Sequence, residues 1–481
     1  MRMSDFSFYW HDYETFGRFP RRDRPSQFAG IRTDADLNEI GTPLMHHCRP
    51  APDYLPDPEA CLLTGILPQT CLELGLPEPE FAATIERELA LPGTVGVGYN
   101  SIRFDDEVTR HLFWRNLFDP YAREWQNECG RWDLLDVLRC TYALRPEGIE
   151  WPKHDDGRVS FKLEHLTKAN GLAHEAAHDA LSDVRATIAL ARLIKTRQPK
   201  LWDFCLKLRR KDAVWAEIGL GEPRPFLHVS GMYGVEHGCI AAVWPLGTHP
   251  VNKNELIVWD LAQDPSELFG LDAASIRLRM FSKADELPEG LTRLPIKTIH
   301  INKSPVVIGN LKTLTPARAA LWSVDMDQVQ RHAALAAAKG ALPKSLWSEV
   351  FARTKPEHAT DVDEDLYGGF IGNTDRRTLE RLRGLSPEKL AQSRVAFDDA
   401  RLEELLFRYR ARNFAQTLND DELARWEAHR AAQLHEGAGG GLTLAAYFER
   451  IDALSENADE RGETILGALY DYAETIAPPL D

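Results

Sequence analysis

The amino-acid sequence predicts an α/β or α+β domain, then a small β-rich domain, then a helical C-terminal region. Three observations carry this. Apolar strand-like runs alternate with helix-period segments over about the first 195 residues. From about Pro199, short apolar runs are punctuated by Gly, Pro and His. Beyond about Pro356 only helical patterns remain. The expected boundaries are 1–196, 197–355 and 356–481.

In order, Phe6 to His11 reads as a short apolar strand. Ser26 to Thr33 and Pro43 to Cys48 read as two more, joined through a polar turn from Asp34 to Gly41. Phe81, Ile85 and Leu89 recur at helical spacing. Thr94 to Tyr99 is a buried strand ending at Asn100, and Phe104 to Leu117 returns to helix. Trp132 to Leu144, Leu163 to Ala169 and Asp179 to Lys195 continue the helical set. Leu227 to Val229, Ile240 to Trp244, Glu255 to Asp260 and Val306 to Ile308 read as the strands of the β-rich part. The helices expected last are Leu379 to Arg383, Arg401 to Arg412, Glu422 to Leu434, Leu444 to Leu454 and Glu463 to Ile476, with Gly437 to Gly441 as a flexible joint.

The chain has 481 residues, 43% hydrophobic and 27% charged, which is ordinary globular composition. No apolar run is long enough for a membrane span, and the N-terminus has no signal-peptide core. Seven cysteines, none in a CxxC pair, fit a reduced cytoplasmic protein without a disulfide framework or zinc ribbon. The net charge of −16 argues against a nucleic-acid partner only until its distribution is considered. Residues 417–481 hold 4 Lys/Arg against 14 Asp/Glu, while Lys195 to Lys211 carries seven basic residues and one acid. Local patches decide binding to phosphates. Solvated helix faces are the alternative for such runs.

The first strand ends in His11-Asp12-Tyr13-Glu14-Thr15. Asp12 and Glu14 are two apart, so an extended backbone puts both carboxylates on one face. They repel unless a cation sits between them, and an oxygen-only ligand set suits Mg²⁺ or Mn²⁺. The same D-x-E spacing occurs at Asp57/Glu59, Asp105/Glu107 and Asp420/Glu422, where a solvated surface pair is the simpler account. Asp105 follows the buried strand at 94–99 and opens a helix, where the macrodipole alone could account for it. His178 and Asp183 form an H-x₄-D pair at another helix start; His174/Asp179 and His358/Asp363 share that spacing. An acid among Ala180, Leu181 and Val184 needs a partner or a metal.

In this order the motifs resemble the DEDD superfamily of 3′→5′ exonucleases, of the subtype with His before the last Asp. The strings HDYETFG, RPSQFAGIRTD, GYNSIRFDDEVTR, RWDLLDV, YALRPEGI, LEHLTKANG and HVSGM are similar to the bacterial exonuclease I family. INKSPV and LLFRYRARNF extend the similarity over nearly the whole chain. The resemblance implies an α/β RNase H-like nuclease domain, an SH3-like β domain and a helical C-terminal domain. It implies a processive 3′→5′ exonuclease on single-stranded DNA in DNA repair, with two Mg²⁺ or Mn²⁺ ions held by Asp12, Glu14, Asp105 and Asp183. Asp12 would bridge the ions and His178 would be the general base.

By the same resemblance, Glu14, Thr64, Gly65 and Lys162 would meet the substrate, with Leu63 to Ile66 near the terminal nucleotide. Arg110, Tyr121, Trp125 and Arg139 would line the single-strand path. Core packing is the alternative for Tyr121 and Trp125; a solvated helix face is the alternative for Arg110 and Arg139. The implied partners are single-stranded DNA and the acidic tail of a single-stranded DNA-binding protein, the latter on the basic run Lys207 to Lys211. No membrane partner is expected, and the chain is expected to be a monomer. Two other readings stay open: an exoribonuclease or proofreading exonuclease on the same core, and a single-strand-binding scaffold without chemistry.

Overall fold

The computed structural model describes residues 6–174, 179–219, 221–352 and 360–479. His178 lies outside them. The chain forms two compact units. The first combines Met1–Gly130, Glu175–Arg185 and Pro356–Asp481; the second combines Arg131–His174 and Ala186–Lys355. Among the described residues no helix is long and apolar enough to cross a membrane.

In the first unit, β1 (Ser7–Thr15), β2 (Pro25–Thr33), β3 (Glu39–His47) and β4 (Thr94–Gly98) lie in the order β3-β2-β1-β4. β1 is antiparallel to β2 and parallel to β4. It is covered on both faces, so Phe8-Tyr9-Trp10 reads as a continuous apolar run rather than an alternation. Trp10 reaches across the pair, its Nε1–H donating to Thr33 Oγ1 at 2.9 Å. β3 begins four residues before the expected Pro43, because Ile40 and Glu39 pair with Arg32 and Thr33 beyond an irregularity in the register. The crossover to β4 runs through helices Pro58–Thr64, Pro68–Leu74 and Glu78–Leu89, each with a proline in its first turn. Asp57 caps the first of these by accepting from the Glu59 and Ala60 amides, so this D-x-E pair is a helix start. Asp420/Glu422 is another, with Glu422 closing a capping box on Asn419.

The segment expected as helix from Trp132 starts instead as β5 (Gly130–Asp133), followed by helix Leu134–Leu144. Asp133 is extended and its carboxylate accepts from the Leu135 amide, which makes it the cap and leaves Trp132 in the strand. The second unit holds a sheet of β6 (Phe226–Val229), β7 (Ile240–Thr248), β8 (Glu255–Asp260), β9 (Ile296–His300) and β10 (Val306–Ile308), in the order β10-β6-β7-β8-β9. All neighbours are antiparallel. β9 is the strand that the sequence analysis lacks.

The C-terminal helices include Asn373–Arg383, Arg401–Asn413, Asp420–Glu436, Leu444–Ser455 and Glu460–Ile476. Gly437 ends the third of these in the left-handed region, so the glycine run contains a defined helix cap. These helices pack against the start of the chain. Phe16, Cys61, Ile66 and Cys71 share one apolar patch with Tyr447, Ile465, Leu466 and Leu469. Beside it lies a buried ionic cluster. Arg412 donates to Asp53 at 2.7 Å and pairs with Asp363; Arg24 pairs with Asp363 at 3.2 Å; Arg408 pairs with Asp361 at 2.7 Å. Burial alone would raise Asp53 and Asp363, but the Arg412 guanidinium and its neighbours hold both well below the usual carboxylate range.

Removing one partner leaves buried charge uncompensated. Arg412→Met is expected to destabilise the first unit by about 3–5 kcal/mol, read as a lower urea midpoint. Because the folded carboxylate pKa values are depressed, their stabilisation is present above the ordinary aspartate pKa of about 3.9 and is lost as pH falls below it. The wild-type urea midpoint should therefore drop more steeply than that of Arg412→Met as pH falls through that range. Equal slopes would show that the cluster contributes no acid sensitivity.

Candidate metal centre

Asp12 and Glu14 lie on one face of β1, as their spacing requires. Tyr13 between them faces the other way, its ring 4.7 Å from Phe28. Asp183 comes from the first turn of helix Ala180–Arg197. Carboxylate oxygens of Asp12, Glu14 and Asp183 all lie within 4.8 Å of one another. Asp105 begins helix Asp105–Arg115 and is buried. Its Oδ1 accepts from the Tyr13 amide at 3.1 Å, so the strand between the first two carboxylates holds the fourth. Thr109, one turn on, donates to the Tyr13 hydroxyl at 3.0 Å and ties the same strand to the same helix.

The electrostatics are those of buried carboxylates crowded against one another. Burial raises Asp12 well above its ordinary value, and Asp105, Glu14, Asp183 and Asp179 push it further. Burial, then Asp183 and Asp179, push Glu14 up to about 8. Carboxylates so crowded must hold protons or share a cation. An oxygen-only set of this kind fits a hard divalent ion. His11 beside Asp12 is pushed down to about 4, by burial and then by Arg123, so it is neutral near pH 7. Arg123 itself pairs with buried Asp106 at 2.6 Å, the residue next to Asp105.

Two contributors escaped the sequence analysis. Asp179, treated there only as a partner of His174, adds its charge to the centre. Gln27 stands opposite Glu14 on β2, and its Oε1 accepts from the Ala180 amide at 3.1 Å, at the N-terminus of the helix that carries Asp183. No local signal marks Gln27, since Ser26, Arg32 and Thr33 in the same strand are polar as well.

The expected substrate residues are placed as follows. Arg110 is not on a solvated face. It is buried, donating to Glu124 at 2.7 and 2.9 Å, to Glu107 at 2.7 Å and to the Tyr367 hydroxyl at 3.0 Å. Tyr121 is half-buried, with the Arg110 guanidinium 5.3 Å from its ring centre and the Phe370 ring at 6.1 Å. Trp125 is 63% exposed, so core packing does not account for it. Thr64 ends helix Pro58–Thr64, and Gly65 follows as its left-handed cap at φ 75°. Lys162 and Arg139 belong to the second unit. There Lys162 is exposed, 3.5 Å from Glu164, and Arg139 pairs with Asp136 at 2.7 Å.

Three family models match: an exonuclease domain over residues 9–191, an exonuclease I SH3-like domain over 209–353 and an exonuclease I C-terminal domain over 360–476. Exodeoxyribonuclease I of Haemophilus influenzae is 44% identical over 98% of both chains. The chain belongs to the exonuclease I family. The crystal structure of Escherichia coli exonuclease I with a dA16 oligonucleotide matches with a TM-score of 0.92 and 43% identity, over 98% of this chain and 100% of that one. An ExoI/SSB-Ct complex matches at 0.90 and 42%, over 98% and 99%. Family membership makes the chain an exodeoxyribonuclease dependent on a divalent metal.

Two measurements probe the centre. Binding of Mg²⁺ at pH 7 should release protons, because Glu14 titrates near 8 when no ion neutralises its neighbours. Calorimetry in buffers of different ionisation enthalpy reads this; a heat independent of buffer would contradict the assignment. Gln27→Leu should weaken Mg²⁺ affinity by about 10–100-fold, the usual effect of losing a group that orients a ligand. Unchanged affinity in a folded variant would show that the Ala180 contact does not position Asp183.

Proposed function

We propose that the protein hydrolyses single-stranded DNA from its 3′ end, releasing 5′-mononucleotides, with Mg²⁺ as its working ion. The observation that carries this is the convergence of Asp12, Glu14 and Asp183 beside Asp105 in a chain of the exonuclease I family. Glu14 and Asp183 would hold one ion and Asp105 a second, with Asp12 shared between them. Bound ions would activate the attacking water and neutralise the leaving 3′ oxygen. His178 would take the proton of that water, since imidazole is the side chain whose unperturbed pKa of about 6.5 suits a general base near neutral pH. The segment Leu63 to Ile66, where helix Pro58–Thr64 ends, receives the terminal nucleotide. Trp125 and Tyr121 offer stacking faces without base preference, and Lys162 and Arg139 add cations for phosphates.

The chain divides into a nuclease domain at 1–196, an SH3-like domain at 197–355 and a helical domain at 356–481, and works as a cytoplasmic monomer. Its second macromolecular partner is the acidic C-terminal tail of a single-stranded DNA-binding protein. In the basic run, Arg210 pairs with Asp212 at 2.9 Å and Lys211 donates to Asn254 at 2.8 Å. A cavity of about 430 Å³ in the second unit sets cations beside an apolar wall, which suits the carboxylates and the carbon skeleton of a docked acidic peptide. Leu144, Leu201, Phe204 and Ile308 form its wall, with Arg145 and Lys200 beside them. We therefore place the tail there rather than on the run.

Strands labelled at either end, with and without chelator and beside matched RNA and duplex, test the activity. Loss should be complete on chelation, start at the 3′ end and favour single-stranded DNA. Activity that survives chelation, begins at the 5′ end or prefers RNA would overturn the proposal. Asp12→Ala should retain less than about a tenth of wild-type kcat, a barrier change of more than roughly 1.4 kcal/mol. His178→Ala should lower the rate by about 10²–10⁴-fold, with His174→Ala as the control of equal spacing.

A further inference from the structure

Arg461 is a cation placed where local rules disfavour one. It is the second residue of helix Glu460–Ile476, whose N-cap Asp459 accepts from the Gly462 amide at 2.8 Å. The N-terminal end of a helix carries partial positive charge, so a guanidinium in the first turn is repelled rather than stabilised. Asp459, Glu460 and Glu463 in the same turn supply offsetting negative charge, yet none of them forms an ion pair with it among the described residues. Arg461 is exposed and has neither an ion pair nor a hydrogen bond among the described residues. Arg450, on the preceding helix, contrasts with it, being paired with Glu59 at the start of helix Pro58–Thr64.

What Arg461 does face is Gly65, the residue that caps helix Pro58–Thr64. A Cβ built on Gly65 would lie 2.7 Å from Arg461 Nη2. Gly65 is left-handed, and its missing side chain leaves room for the guanidinium. Leu63 at the same turn is 59% exposed, a large apolar side chain open to solvent. The arrangement is rigidly seated, since Cys61, Ile66, Ile465 and Leu466 share one core patch with Phe16. Phe16 lies two residues beyond Glu14, and its carbonyl accepts from the Asp57 amide at 2.7 Å, at the cap of helix Pro58–Thr64. An unpaired guanidinium, an open apolar side chain and a bare backbone turn therefore meet on an edge tied directly to the metal-binding strand.

We propose that Arg461 is a substrate-contact residue, gripping a phosphate near the 3′ end of the strand. This rests on the reading of Leu63 to Ile66 as the seat of the terminal nucleotide. A guanidinium presents a planar fork of donors that matches a phosphate, and an unpaired one loses no internal ion pair on engaging it. The helical C-terminal region thereby contributes a side chain to substrate binding, and does so at the chain end rather than along the single-strand path.

Binding of single-stranded DNA in chelator, and steady-state cleavage with Mg²⁺, test this with Arg461→Gln, Arg461→Lys and, as a control cation, Arg450→Gln. Arg461→Gln should raise Kd and KM about 3–10-fold at low salt with kcat within twofold, and lower the salt slope of binding by about 0.7. Arg461→Lys should keep the slope. Strands carrying one uncharged methylphosphonate at the first, second or third linkage from the 3′ end locate the contact. At one of these the difference between wild type and Arg461→Gln should vanish. An unchanged Kd and slope in Arg461→Gln, an equal change in Arg450→Gln, or a difference indifferent to all three linkages would overturn the assignment. Gly65→Val separates the two readings: if it leaves cleavage intact, the segment is not the seat of the terminal nucleotide. If it impairs cleavage while Arg461→Gln does nothing, only the role of Arg461 fails.

Discussion

Like charges forced together at the end of one strand are the constraint on which this structure turns. Asp12, Glu14 and Asp183 cannot all be ionised at this separation without a cation, and burial sharpens the conflict. A cluster that destabilises its own fold needs scaffolding that does not relax. The scaffolding is a set of neutral and paired contacts one layer out. The Tyr13 amide and hydroxyl hold the helix of Asp105, and Gln27 holds the helix of Asp183. The buried Arg123–Asp106 pair fixes the position beside Asp105.

A second, opposite solution to buried charge sits a short way along the chain. Around Arg412 the carboxylates of Asp53 and Asp363 are balanced by guanidinium groups and stay ionised. The metal centre leaves its carboxylates unbalanced; the Arg412 cluster balances them internally. The first arrangement is what an ion-binding site requires, and the second is what fastens one part of the chain to another. Both are buried acids, and only the presence of arginine separates a ligand from a bolt.

The ligand carboxylates were legible in the sequence because their spacing is a backbone property. Two residues apart on a strand means one face, and an acid in an apolar first turn of a helix demands an explanation. Asp57/Glu59 and Asp420/Glu422 share the spacing, yet they cap helices. What separates them from Asp12/Glu14 is the apolar strand before the pair. Gln27, Asp179 and the burial of Arg110 were not legible, since each depends on which element lies opposite. No local pattern says that Gln27 meets Ala180 from 153 residues away. β9 carries no period-two signal: Ile296 and Ile299 are three apart with Lys297 and Thr298 between them, and the run is short and follows a proline.

The first unit is discontinuous, and this sets an order of events during synthesis. Asp12, Glu14, Asp105 and Asp183 have all left the ribosome long before Arg408 and Arg412 are made. At about 5–20 residues per second, the roughly 230 residues between Asp183 and Arg412 take on the order of 10–45 seconds to add. Throughout that interval Asp53 lacks its guanidinium partner, and the apolar patch around Phe16 lacks the helices that cover it. The nascent nuclease segment thus waits, half-assembled, for the end of its own chain, and it is in this window that a chaperone or a protease would meet it.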